Sequence, residues 1–248
     1  MEIVVPDFIL QICLIFILAG LVKGTVGFGL PTIGIGLGAL ISDIPTAMML
    51  ILAPTFLTNI IQIWSAGSLP GVINKSWAFL VGSILLVPLG LRAVVSMPAF
   101  PFERVLGLTI LIYSLASLKE FNPMMRMHQN HRLGIGLGLV NSLLTGMTGS
   151  MSVPGVMYLR SLQLSTDDLL CAMGVLFLIS TIAMGISLWW FERATQDLSI
   201  LSVAMCLPVG LGVWCGTRIR QVLSEDQFKQ IFLWAFAVLG LYLVVFGA

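Results

Sequence analysis

Apolar runs of about 20 residues, separated by short polar stretches, dominate the chain. Those near 45–66, 76–95, 102–118, 168–190, 198–216 and 228–247 have the length a helix needs to cross a hydrocarbon core about 30 Å thick. Two other stretches, 8–42 and 133–163, are longer, rich in glycine, and interrupted near their middles by glycine and proline. The most polar linker, 119–132, divides the chain. The pattern predicts an all-α polytopic membrane protein built from two repeats, 1–118 and 133–248. Each has a broken segment followed by three transmembrane helices.

The halves resemble one another in sequence. Gly24 and Gly27 match Gly146 and Gly149 at a shift of 122, and Pro31 matches Pro154 one residue further on. Thr58-Asn59 matches Ser180-Thr181 at the same shift, Pro88-Leu89-Gly90 matches Pro208-Val209-Gly210, and Phe102-Glu103-Arg104-Val105 matches Phe228-Lys229-Gln230-Ile231. Four matches in one order predict a duplicated four-segment unit.

The broken segments decide the topology. Residues 8–22 and 30–42 are each short for a crossing, at about 1.5 Å per residue. A hairpin that enters and leaves on one side fits both lengths. Cytoplasmic loops carry the excess of lysine and arginine. If each broken segment crossed once, the two sides would hold about six and about five of these residues. With both re-entrant, one side collects Lys75, Lys119, Arg126, Arg132, Arg160, Arg218, Arg220 and Lys229, and the other keeps Arg92, Arg104 and Arg193. Re-entry leaves three full spans per half, an odd number, so the halves are expected to be inverted, with both termini outside.

Composition agrees and excludes other classes. Of 248 residues, 58% are hydrophobic and 9% charged, too few charges to cover a water-facing surface, and mean hydropathy is +1.05. A formal net charge of +1 leaves no basic footprint for nucleic acid. The N-terminus, Met1-Glu2-Ile3-Val4-Val5-Pro6-Asp7, lacks the positive region of a cleaved signal, so the first segment is expected to stay. Cys13, Cys171, Cys206 and Cys215 lie in apolar runs without metal-ligand spacing. No cofactor is expected.

Chemistry concentrates at the two breaks. In Lys23-Gly24-Thr25-Val26-Gly27-Phe28-Gly29-Leu30-Pro31, Gly24 is expected to cap one half-helix and Pro31 to open the next. Backbone N–H groups between them need partners at membrane depth, and the second half-helix points its positive end at the gap, a setting suited to an anion. Gly146-Met147-Thr148-Gly149-Ser150-Met151-Ser152-Val153-Pro154 repeats the design with three hydroxyls. Lys23 needs a partner at this depth. It either neutralises a bound anion or lies against the carbonyl end of the preceding helix. Asn59 and Thr181, with Thr58 and Ser180, fall mid-span. They either line the same cavity or bond between helices. Asn141 is a weaker candidate.

Other features read as packing or loop. Gly34-Ile35-Gly36-Leu37-Gly38 and Gly134-Ile135-Gly136-Leu137-Gly138 lack the strand and downstream acid of a nucleotide loop, so close helix packing is the better reading. The same glycine-rich faces permit a homodimer. His128 and His131 fall in the polar linker, as solvated loop residues. Acidic residues sit at segment ends, and no nucleophile–base or carboxylate pair emerges. An enzyme is not expected.

At the two breaks the sequence resembles the TauE/SafE family of sulfite exporters and related anion transporters. The resemblance rests on Lys23-Gly24 through Pro31, on Gly146 through Gly149 with Pro154, on Pro88-x-Gly90 and Pro208-x-Gly210, and on the two-half layout. It implies an inner-membrane transporter of sulfite, sulfonates or similar small organosulfur anions. The family often runs several glycines together at these breaks. Here Leu30 interrupts the first and Ser150-Met151-Ser152 replaces the second.

The expected function is therefore anion export by alternating access at a midplane site. The expected substrate contacts are Lys23, Gly24, Thr25, Gly27, Phe28, Gly29, Asn59, Thr148, Gly149, Ser150, Ser152 and Thr181. Free N–H groups near Gly27, Phe28, Gly29, Gly149 and Ser150 would donate to the anion's oxygens. The partners are the small anion and the lipid bilayer. An anion channel of the same architecture, or a membrane assembly subunit without transport, are the alternatives.

Overall fold

The structure is a computed structural model that describes residues 9–122, 130–220 and 225–247, with the side chains of 225–229 outside the description. His128 and Arg126 lie outside the described residues. The helices in chain order are α1 (Ile9–Val26), α2 (Leu30–Gly38), α3 (Ile44–Ser65), α4 (Leu69–Leu85), α5 (Val87–Ser96), α6 (Phe102–Leu118), α7 (His131–Thr148), α8 (Met157–Ser161), α9 (Thr166–Trp190), α10 (Gln196–Ala204), α11 (Cys206–Ile219) and α12 (Glu225–Phe246). A π-type turn, Ser152–Val156, leads into α8. Five stretches among the described residues are long and apolar enough to cross a membrane: Ile9–Val26, Ile44–Ser65, Leu69–Ser96, Thr166–Trp190 and Gln196–Ile219.

Helix starts follow their capping residues. Asp43 accepts from Thr46 N at 2.7 Å ahead of α3, Asn130 accepts from Arg132 N at 3.0 Å ahead of α7, and Ser165 accepts from Asp168 N at 3.2 Å ahead of α9. His131, expected in the loop, instead opens α7 and stacks on Trp77 with centroids 5.3 Å apart. The run expected at 76–95 begins at Leu69 and divides at Leu86 into α4 and α5; that expected at 198–216 begins at Gln196 and divides at Met205. Both divisions fall just ahead of the repeated prolines, Pro88 and Pro208. A proline inside a helix withdraws an N–H and crowds the preceding turn.

Pro54 shows how such losses are repaired. It lies inside α3, so the carbonyl four residues back loses its donor. That carbonyl, Leu50 O, accepts from Ser202 Oγ of α10 at 3.0 Å, and the same hydroxyl accepts from Ala53 N at 3.0 Å. Ser142 of α7 likewise takes the Leu86 N–H at 3.2 Å. In lipid these groups have no water to turn to.

Glycine contacts set the helix pairs and their directions. α1 runs parallel to α11: a β-carbon at Gly212 would sit 3.0 Å from Gly20 Cα, and one at Gly216 would sit 3.1 Å from Gly24 Cα. α7 runs parallel to α4 and α5, through Gly138 against Gly82 (2.9 Å) and Gly146 against Gly90 (2.9 Å). α6 and α12 cross antiparallel at Gly107 and Gly240, with Arg104 Nε donating to Gly247 O at 3.0 Å. α3 and α9 are antiparallel: Gln62 Nε2 donates to Leu170 O at 2.8 Å, while Gly185 faces Leu52 near the other end. α2 is antiparallel to α3, with Gly34 on Ile51 and Gly38 on Ala47. Small residues let these backbones approach where lipid supplies no hydrophobic drive between helices. Trp64 at one end of the bundle is 90% exposed, and Trp190 at the other is 73% exposed. Tryptophans at both ends mark the interfacial zones.

Candidate functional site

α1 does not stop at Gly24. It continues to Val26, and the left-handed residues that end it are Gly27 (φ +82°) and Gly29 (φ +98°). Gly24 is instead required by the approach of α11: a β-carbon there would lie 2.9 Å from Val213 Cα. Gly146, which matches it at a shift of 122, is likewise a packing glycine, and Gly149 (φ +67°) makes the second turn. Pro31 does sit in the first turn of α2, which opens on Gly29.

The backbone of the breaks is less available than expected. Gly27 N donates to Lys23 O at 2.8 Å and Gly149 N to Thr145 O at 2.7 Å, while Ser150 N donates to Thr148 Oγ1 at 3.2 Å. Each helix end closes on itself because lipid offers these groups nothing else. Three expected hydroxyls are also occupied. Thr25 Oγ1 donates back to Val22 O at 2.9 Å and Thr181 Oγ1 to Phe177 O at 2.6 Å. Thr148 donates to Leu144 O at 2.7 Å.

The structure does bring Lys23 and Asn59 together. Lys23 is 6% exposed and Asn59 fully buried, and the ammonium donates to Asn59 Oδ1. Asn59 Nδ2 is left without a partner, as is Thr55 Oγ1. Thr55 lies four residues earlier on α3, so the two groups share a helix face. Ser180 Oγ and both polar atoms of Asn141 are also buried without partners. Buried polar groups are normally satisfied, so each of these atoms is an exception at its own position.

A cavity of about 400 Å³ leads to Lys23. Lys23 and Gly24 line it from α1, Gly27 from the turn that follows, Thr58 and Gln62 from α3, and Leu170 from α9. Asp167 and Arg220 also line it, where α9 begins and α11 ends. A second cavity of about 300 Å³ occupies the opposite end of the bundle, lined by Asp43, Val95, Glu103 and Arg193. Gly149 is not on its wall. Instead Ile35 packs on Gly149, and a β-carbon there would lie 3.2 Å from Met48 Cγ.

The two broken segments also touch. Thr32 of α2 shares hydrogen bonds with Ser152 Oγ at 2.9 Å and Ser150 Oγ at 3.4 Å. Phe28 lies edge-on to Tyr113 and Phe232, at 5.9 and 6.3 Å, with the Arg160 guanidinium 5.8 Å from its ring centre. Phe28 is therefore an anchor between the segments. Thr32, Thr55, Gln62, Leu170 and Arg160 are not among the residues that sequence alone singles out. Only Thr55 leaves a usable signal there, its spacing of four from Asn59. Among the described residues, no group of three His, Cys, Asp or Glu could hold a metal.

The family profile described as sulfite exporter TauE/SafE matches residues 12–243. No curated protein and no solved structure matches the chain. The match spans both breaks, Lys23 and every membrane-length helix; the chain belongs to the TauE/SafE sulfite exporter family and is a multi-pass inner-membrane transporter, not an enzyme.

Proposed function

We propose that this protein exports sulfite or a related small organosulfur anion by alternating access, at a site between the two broken segments. One observation carries the reading: a buried ammonium, Lys23, lines an open cleft and is held by a neutral amide whose own Nδ2 has no partner. A lysine at such depth is expensive unless its charge is used. The binding groups are then side chains, chiefly Lys23, Asn59 and Thr55, with Thr32, Ser150 and Ser152 across the junction of the breaks.

The two halves act as inverted repeats with re-entrant broken segments. Helix register supports this. Lys23 is level with Asn59 and Gly38 with Ala47. Between residues 23 and 38 the chain thus returns by twelve residues of α3, about 18 Å. In the second half Gly146 is level with Gly90, and Tyr158 stacks on Phe79 at 4.4 Å. That is a return of similar depth from the opposite end. Lys75, Lys119, Arg132, Arg160, Arg218 and Arg220 gather at the end where α3 finishes, against Arg92, Arg104 and Arg193 at the other. The positive-inside rule makes the first end cytoplasmic, so the Lys23 cleft faces the cytoplasm. An anion leaving the cell gains about 2.3 kcal/mol per charge per 100 mV, so export needs no coupled ion.

The test is potential-driven flux of radiolabelled sulfite in proteoliposomes. Saturable flux with counterflow, abolished by Lys23→Ala in folded protein, is expected. Flux without saturation or counterflow would indicate a pore, and flux unaffected by Lys23→Ala would remove the lysine from the site.

A further inference from the structure

Resting on that reading of the Lys23 cleft, we infer that the site selects its anion by valence, accepting oxyanions with one negative charge and rejecting those with two. The ground is the charge inventory around the cavity. Among the described residues Lys23 is the one buried cation. The unpaired groups on the Asn59 face of α3, Asn59 Nδ2 and Thr55 Oγ1, are neutral. Toward the mouth the wall carries one cation and one anion, Arg220 and Asp167, whose formal charges cancel, and the rest of it is uncharged, from Thr58 and Gln62 to Ile61, Leu170 and Val213.

A singly charged oxyanion against Lys23 makes a neutral complex, and its further oxygens meet the amide and hydroxyl. A doubly charged one leaves a full negative charge beside Lys23, with no second buried cation among the described residues to meet it. Burying an uncompensated charge is far more costly than burying a polar group. Asn59 sharpens the discrimination. It already holds the ammonium with a neutral carbonyl, so a single negative charge is enough to displace it. The same neutrality lets the loaded site pass through a low-dielectric interior as the access changes sides. Alkanesulfonate and hydrogensulfite meet this requirement; sulfate, equally tetrahedral, does not.

The full chain in proteoliposomes tests this with two competitors of similar geometry against radiolabelled sulfite flux, methanesulfonate and sulfate. Methanesulfonate is expected to inhibit about a hundredfold better than sulfate or more, and to raise the unfolding temperature of detergent-solubilised protein where sulfate does not. Equal inhibition and equal stabilisation by the two anions would overturn selection by valence while leaving the transport reading intact. Absence of saturable flux for any of these anions, with no stabilisation by either, would overturn both. Asn59→Asp, nearly isosteric, places a carboxylate on Lys23 and is expected to abolish methanesulfonate stabilisation in protein that still folds. Retained stabilisation would also overturn the proposal. Lys23→Arg, which keeps the charge, is expected to preserve the preference for methanesulfonate.

Discussion

Leu170 lies over Gly27: a β-carbon at this positive-φ glycine would come 2.5 Å from the leucine Cδ2. Met48 approaches Gly149 beside the nearer Ile35, its Cγ 3.2 Å from a β-carbon there, and each residue is 122 positions from its counterpart. A side chain of α9 therefore covers the turn after α1, and one of α3 approaches the turn after α7. The two covers differ in exposure: Leu170 lines the open cleft, whereas Met48 is fully buried.

Under alternating access the two covers should be reached from opposite sides. In a background without the four native cysteines, Leu170→Cys is expected to react with a charged, impermeant thiol reagent from the cytoplasmic side. Met48→Cys should stay protected until outward-facing protein is favoured, and then react from outside. Labelling of both from one side would contradict the inverted arrangement.

Gly27 is constrained twice, by its backbone and by Leu170. Gly27→Ala should cost about 1–2 kcal/mol for the left-handed conformation, with an added steric share from the leucine. Leu170→Ala in the same chain should return the steric share alone. A double-mutant cycle on thermal unfolding in detergent measures the split; strict additivity would show that the two residues do not touch.

Asn59 is expected to matter more than its neighbour in sequence. Removing it leaves a buried ammonium unpaired, at a cost of about 1–3 kcal/mol or more. Thr58 bonds its own helix, through Pro54 O at 2.8 Å. Asn59→Ala should therefore lower the unfolding temperature well beyond Thr58→Ala, and an equal effect would remove Asn59 as the lysine's partner.

Thr25 and Thr181 are candidates for the substrate site by sequence, but their hydroxyls bond carbonyls of their own helices. Thr25→Val and Thr181→Val should leave sulfite flux within about twofold, since such bonds average about 0.6 kcal/mol in membranes. A tenfold loss from either would return it to the site.

The glycines separate into packing and lipid-facing sets. Gly216→Leu and Gly90→Leu drive a side chain into the backbone of a facing helix, and expression of folded protein should collapse. At Gly136 and Gly210 a β-carbon would meet nothing within 4 Å; leucine there should be tolerated. Size-exclusion profiles of the four variants read the difference directly.

Four of the five membrane-length stretches were legible in the chain alone; the fifth, Ile9–Val26, stands where a half-helix too short to cross was expected, because α1 runs on past Gly24. Hydrophobic length against the bilayer is a local property, and so is the effect of glycine and proline on a helix. Two glycines that the sequence pairs at a shift of 122, Gly27 and Gly149, are both left-handed in the structure. Which glycine turns and which packs was not legible in the sequence. Gly24 looks like a cap until α11 is brought against it, because close backbone approach is set by a helix some 190 residues away along the chain. Likewise Lys23 could be recognised as costly but not given its partner. Asn59 and Leu170 belong to other helices, and only the packing of those helices put a neutral amide and an open cleft beside one buried charge.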